Sequence, residues 1–226
     1  MFVLLKKDYS LLKYIENEDF ERAFLILDRK IDLDLTDEDE GETALIKACK
    51  KDNYELAEKL VNKNANVNIE DRDGWTAVFW AVENNNEKLL DLLNSHRVDL
   101  NHQDNDGFSP LMIATLNQNI SMVKKLLFLK ADPDLQDKDG KTALMWAILN
   151  RFNSIAKVLI EKSSLDICDN EGNTAFHYVV QKEEFELIKF LIKHNVSYEI
   201  RNNEGFTPED IAEGKGWNLN DFRNWN

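Results

Sequence analysis

At 226 residues and 43% hydrophobic content, the chain is long enough to bury a core, either in one domain or in a stack of small units. Its 42 acidic against 28 basic residues give a net charge of −14, which disfavours binding to nucleic-acid phosphates and favours a protein partner with a basic surface. No apolar run approaches a membrane span, Phe2 to Leu5 is too short for a signal-peptide core, and two cysteines give no disulfide framework. The expected location is therefore the cytoplasm, with the nucleus, or export without a recognisable N-terminal signal, left open.

Taken in chain order, residues 1–37 read as a degenerate unit of two helices, roughly Tyr9–Asn17 and Asp19–Arg29. A recurring signal then begins, a glycine followed two places later by Thr or Ser. It appears as Gly41-Glu42-Thr43, Gly74-Trp75-Thr76, Gly107-Phe108-Ser109, Gly140-Lys141-Thr142, Gly172-Asn173-Thr174 and Gly205-Phe206-Thr207. Successive glycines are 33, 33, 33, 32 and 33 residues apart, a period that chance does not produce six times.

Each period has the same physical reading. Asp-x-Asp-Gly, as at Asp71 to Gly74, is turn chemistry, and the following Thr or Ser is a helix N-cap. Pro110 and Pro208 fall at the first helical position, where proline is tolerated. A short apolar helix follows, such as Ala143 to Ile148, and then a polar break such as Asn84-Asn85-Asn86. A second helix carries apolar residues at helical spacing, as in Met122, Val123, Leu126 and Leu127. An extended return such as Ala65-Asn66-Val67-Asn68 closes the unit.

This order of turn, helix, helix and return, with these motifs, resembles the ankyrin repeat over nearly the whole chain. The resemblance implies an all-α repeat solenoid of stacked helix-turn-helix units with β-hairpin loops. About five full repeats are expected, at 38–70, 71–103, 104–136, 137–168 and 169–201. They lie between an N-terminal capping repeat at 1–37 and a truncated C-terminal one at 202–226. A single domain, 1–226, with both caps reads as a complete module and as a monomer.

Several positions depart from the family pattern. Its first-helix histidine is kept only as His177 and is replaced by Ile46, Phe79, Met112 and Met145 elsewhere. The glycine ending the second helix is Asn64, Arg97, Lys130 or Asn195, which costs turn stability. A small first-helix residue becomes Val179, and the return before Asp169 is one residue short, so that junction should be distorted.

A search for chemistry yields no catalytic, cofactor or metal assignment. The acidic turns fail as calcium loops: Ile69, His102 and Leu135 stand where one ligand is needed, and Trp80, Ile113 and Trp146 where the closing glutamate is needed. The four histidines lack metal-site spacing, and no phosphate loop or nucleophile elbow is present. Carboxylates on solvent-facing turns give no reason for a raised pKa. Cys49 reads as a small core residue and Cys168 as an unactivated thiol. The chain is therefore not expected to be an enzyme.

In the family, partners dock on hairpin tips and the inner helix face of a concave surface. The matching positions here include Glu40, Glu42, Arg72, Asp73, Trp75, Asp106, Phe108, Leu116, Lys141 and Asn173. Trp75 and Phe108 share the place after the glycine in adjacent units, either as groove contacts or as rings folded back over their hairpins. Asp37 to Glu42 puts five acids around one tip, either a solvated turn or a docking point for a basic partner. Trp80, Trp146 and Tyr178 read mainly as core. Asn68 and Asn101 match the asparagine that some family members carry hydroxylated. The expected function is a scaffold or adaptor binding another protein; the alternative is an acidic inhibitor of a basic toxin, nuclease or effector.

Overall fold

A computed structural model describes residues 8–223. The chain falls into two compact units that divide between Asn105 and Asp106. The first contains α1 (Ser10–Glu16), α2 (Phe20–Ile26), α3 (Ala44–Lys50), α4 (Tyr54–Asn62), α5 (Ala77–Glu83) and α6 (Glu87–Ser95). The second contains α7 (Pro110–Leu116), α8 (Ile120–Phe128), α9 (Ala143–Leu149), α10 (Asn153–Ile160), α11 (Ala175–Gln181), α12 (Phe185–Lys193), α13 (Pro208–Gly214) and α14 (Asn220–Arg223). From α3 to α12, helices alternate between a short first helix and a longer second one, as the repeat reading requires.

The caps explain where the helices start. Oγ of Thr43, Ser109 and Thr142 accepts the backbone N–H three residues on, at 3.2, 3.3 and 3.4 Å. Asn53, Asn86 and Asn119 do the same for α4, α6 and α8. Each satisfies one of the orphan donors of a helix N-terminus. His177 closes a capping box on Thr174, its Nδ1 accepting the Thr174 N–H at 3.1 Å, while Nε2 lies 3.1 Å from the Phe206 carbonyl of the next turn.

The core lies between successive helix pairs. In the first unit α3 packs on α1, α4 and α5; in the second α9 packs on α7, α10 and α11. Phe79, Met112 and Phe176 are fully buried, and Cys49 is buried in α3. Apolar residues at four of the family's histidine positions therefore do supply packing: Ile46, Phe79, Met112 and Met145 are all inside.

The tips are joined by one backbone hydrogen bond per junction within each unit. Arg72 and Asn105 donate to the carbonyls of Glu40 and Asp73 in the first unit. Lys138, Asn170 and Asn203 donate to Asp106, Asp139 and Glu171 in the second. The expected β-hairpins are not paired strands. Among the described residues the only β-type pairing is the isolated antiparallel bridge between Thr36 and Thr43. Within a tip such as that at Asp137, one bond joins the arms, Asp137 N–H to the Lys141 carbonyl at 3.0 Å, and one closes the turn, Gly140 N–H to the Asp137 carbonyl at 2.9 Å; the arms are too short for a ladder.

The short junction has a visible consequence. Asn64, Arg97, Lys130 and Asn195 end their second helices with φ of 66°, 63°, 73° and 58°. After α10, one residue shorter than α8, no such left-handed residue occurs, and Lys162 and Ser163 both donate to the Leu159 carbonyl. The deletion removed the left-handed turn itself.

Candidate functional site

Each tip is built on one side chain. Oδ1 of Asp71, Asp137, Asp169 and Asn202 accepts two backbone N–H groups, from the residues two and four places on, at 2.8–3.1 Å. Asp37 does the same for Glu40 and Gly41, both at 2.8 Å, in a tip one residue longer. The two residues before each glycine are exposed: Asp39 and Glu40, Arg72 and Asp73, Asn105 and Asp106, Lys138 and Asp139, Asn170 and Glu171, Asn203 and Glu204. A rigid turn thus carries an outward acid in every tip and, before it, a residue that varies among Asp39, Arg72, Asn105, Lys138, Asn170 and Asn203.

The second carboxylate oxygen receives a donor from the first helix. Trp146 Nε1 donates to Asp137 Oδ2 at 2.7 Å, the Tyr178 hydroxyl donates to Asp169, and Lys47 Nζ donates to Asp37 at 2.7 Å. Burial and the Asp169 carboxylate push the Tyr178 hydroxyl well above its ordinary range. The second repeat breaks the pattern. Trp80 Nε1 is buried without a partner, and its ring lies beneath Trp75, with centroids 4.8 Å apart, and Lys50 Nζ, 4.8 Å from its centroid. Burial raises the Asp71 carboxyl above its usual value, contrary to the expectation that no turn carboxylate would be raised.

Trp75 and Phe108 are half-buried. The Trp75 ring stacks on Phe79 at 5.3 Å and donates Nε1–H to Asp104 at 3.1 Å. Phe108 leans on Trp146 of the following repeat at 5.8 Å. Both rings therefore rest on the protein while remaining partly exposed. Glu42 is 3% exposed, its carboxylate held by Lys47 at 2.9 Å and Lys50 at 2.7 Å. Of the five acids read as one tip, Glu42 points inward, Asp37 is half-buried, and Glu38, Asp39 and Glu40 stay outside.

The remaining candidates take simpler places. Arg72 is exposed and donates Nη2 to the Glu38 carbonyl at 2.5 Å. Asp73 and Asp106 are exposed, Leu116 is half-buried, and Lys141 pairs with Asp139 at 3.4 Å. Asn173 donates to Glu171 at 3.2 Å and accepts from Asn202 at 2.9 Å. Asn105, Asn170 and Asn203 brace neighbouring tips, each Nδ2 donating to a carbonyl of the preceding repeat. Asn68 bridges to the next repeat, donating to the Arg97 carbonyl and accepting from the Asp99 N–H.

Two features were missed in the sequence. Lys47 forms a buried triad with Asp37 and Glu42; the signal was a lysine at a first-helix position that is aromatic or apolar in the other repeats. A pocket of about 780 Å³ opens between the tips at 170–173 and 202–206 and the helix α13. Phe206 in its wall is 48% exposed. Burial and the carboxylates of Asp169 and Asp166 raise the Cys168 thiol, which leaves it a poor nucleophile, and both cysteines are free. Among the described residues no group of three or more His, Cys, Asp or Glu is placed to hold a metal.

A family model described as ankyrin repeats in three copies matches residues 11–104, 89–167, 111–203 and 155–216. The chain belongs to the ankyrin-repeat family. It is similar to the crystal structure of the ankyrin repeat domain of Bcl-3, described as a unique member of the IkappaB protein family, with a TM-score of 0.83 and 22% identity. That match covers 96% of this chain and 99% of the other, and at this identity it speaks for the fold alone. An ankyrin repeat protein, EF0377, matches with a TM-score of 0.75 and 28% identity over 83% of this chain and 98% of the other. A putative ankyrin repeat protein, L92 of Acanthamoeba polyphaga mimivirus, is 48% identical over 48 residues, which is 21% of this chain. The chain spans only 12% of that relative's length. Ankyrin repeats are protein–protein interaction modules, and among the described residues no helix is long and apolar enough to cross a membrane.

Proposed function

We propose that this protein is a non-enzymatic adaptor that binds a partner protein through the hairpin tips and first helices of its repeats. The observation that carries this reading is the contrast within every tip. The backbone is locked by an Asp or Asn cap and tied to its neighbour, while of the two exposed residues before the glycine the second is always an acid and the first changes among Asp39, Arg72, Asn105, Lys138, Asn170 and Asn203. A rigid frame loses little entropy on binding, and a variable surface supplies specificity. Glu40, Arg72, Asp73, Asp106, Lys141 and Asn173 are the polar contacts, and Trp75, Phe108 and Leu116 the apolar ones. Glu42 acts indirectly, by holding Lys50 over the Trp80 ring. The chain works as a monomer in the cytoplasm.

The test is affinity capture from native lysate, comparing wild type with the Trp75→Ala/Phe108→Ala variant after circular dichroism confirms its fold. A partner held by wild type and lost by the variant is expected. Equal capture by both would move the contact away from these rings. If that capture also collapsed between low and moderate salt with a cationic partner, an acidic inhibitor would replace the adaptor, since rim charges make binding salt-dependent.

A further inference from the structure

We propose that the pocket between the last full repeat and α13 receives an arginine side chain from an extended segment of the partner, with Phe206 as its stacking platform and Glu204 and Glu171 as its carboxylate acceptors. This rests on the protein-binding reading above and adds the chemistry of one contact. The place after the glycine is aromatic three times, at Trp75, Phe108 and Phe206. The first two rings rest on tryptophans. Among the described residues Phe206 rests on no ring; Ile211 stands in its repeat where Trp80 stands in the second, and Phe206 is 48% exposed.

Its backbone is nonetheless fixed. The Phe206 N–H donates to Asn202 Oδ1 at 3.0 Å, and its carbonyl accepts from the Asn202 N–H at 2.9 Å and faces His177 Nε2 at 3.1 Å. An exposed aromatic on a locked backbone is preorganised for contact, at little entropic cost.

The charge around it selects the ligand. Asp210 is spent on Arg201, at 3.0 Å, and on the Thr207 N–H, at 2.9 Å. Lys215, the cation in the wall, is spent on Glu183 at 2.8 Å. The Glu204 carboxylate accepts no hydrogen bond and pairs with no cation among the described residues, and Glu171 accepts only the Asn173 amide. The unspent charge in the wall is therefore negative, and it shares the pocket with a ring that is about half exposed. Guanidinium satisfies both, since it stacks flat on aromatics and donates a fork of N–H groups to carboxylates, which a lysine ammonium does not.

The test titrates the ¹⁵N-labelled full chain with acetyl-glycyl-arginyl-glycine amide and, separately, with its citrulline and lysine counterparts. Amide shifts are expected to concentrate at Glu204, Phe206 and Ile211, with binding about ten-fold weaker for citrulline. Phe206→Ala and Glu204→Gln should each abolish the preference while leaving the rest of the spectrum in place. Equal response to citrulline, or shifts gathered at the acidic tip near Glu40 and unchanged by Phe206→Ala, would overturn the proposal. Running Phe206→Ala in the capture experiment separates the two readings. A partner still captured, with no arginine response at Phe206, sinks the pocket alone. No partner captured by wild type, with the arginine response intact, sinks the adaptor reading and leaves the pocket standing.

Discussion

Lys47 occupies the first-helix place filled by Trp80, Ile113, Trp146, Tyr178 and Ile211 in the other repeats. Its ammonium lies between Asp37 and Glu42, with side-chain exposures of 9%, 14% and 4% for the three groups. Burial alone would lower the lysine pKa, yet the hydrogen bonds it donates to the two carboxylates raise it above its ordinary value. Burial likewise pushes Asp37 up, but Lys47 and the N–H groups of Glu40 and Gly41 hold it below the usual carboxylate value. Removing the lysine would strand two carboxylates in a site with little water, so Lys47→Met should cost about 3–5 kcal/mol in urea unfolding. The sign with pH follows from Asp37. Its lowered pKa contributes stability above the ordinary value, which is lost as pH falls through the folded one. Lys47→Met should therefore lose less stability than wild type between about pH 6 and about pH 3. An equal loss in both would mean the lysine is not what holds Asp37 ionised. The sequence showed these acids as one tip, because it cannot say which carboxylates face inward. It also could not settle whether Trp75 and Phe108 stand or lean. That depends on a ring one helical turn away for Trp75 and on the next repeat's Trp146 for Phe108.

At the scale of the element, caps and glycines made the helices readable. Thr43, Ser109 and Thr142 start their helices as a cap should. Other element features could not be read. Thr76 sits at the same place, yet its hydroxyl is buried without a partner. The family resemblance implied β-hairpin tips, but among the described residues no ladder forms. Their glycines do two jobs, which a pair of substitutions separates. Gly140 and Gly205 both have left-handed backbone, with φ of 79° and 86°. A β-carbon at Gly140 would lie 2.7 Å from the Asn170 nitrogen, which donates to the Asp139 carbonyl; one at Gly205 would meet nothing within 4 Å. Gly205→Ala should cost only the left-handed strain, about 1–2 kcal/mol. Gly140→Ala should cost at least about 1 kcal/mol more, since the bond joining two tips must stretch or break. Equal urea midpoints would show that tip-to-tip contact adds no measurable stability.

For the whole molecule, the 33-residue period carried the fold, because each unit buries its apolar faces only against its neighbours. The period says nothing about how a net charge of −14 is tolerated. The Asp37–Lys47–Glu42 triad is largely shielded from salt by burial, and exposed pairs such as Lys138–Asp106 at 3.9 Å are worth about 0–1 kcal/mol. What remains is mutual repulsion among exposed carboxylates at the tips, Asp39, Glu40, Asp73, Asp139, Glu171 and Glu204 among them. Raising NaCl from about 0.01 M to about 1 M shortens the screening length from about 30 Å to about 3 Å. The urea midpoint should therefore rise with salt, because repulsion is screened and each exposed ion pair that is weakened is worth little. Asp39→Asn with Glu40→Gln should raise the midpoint at low salt and add little at high salt. Both are exposed, while Asp37 keeps the turn. A midpoint that fell with salt would show that exposed ion pairs outweigh the repulsion, and that the acidic tips are balanced within the fold rather than left open for a basic partner.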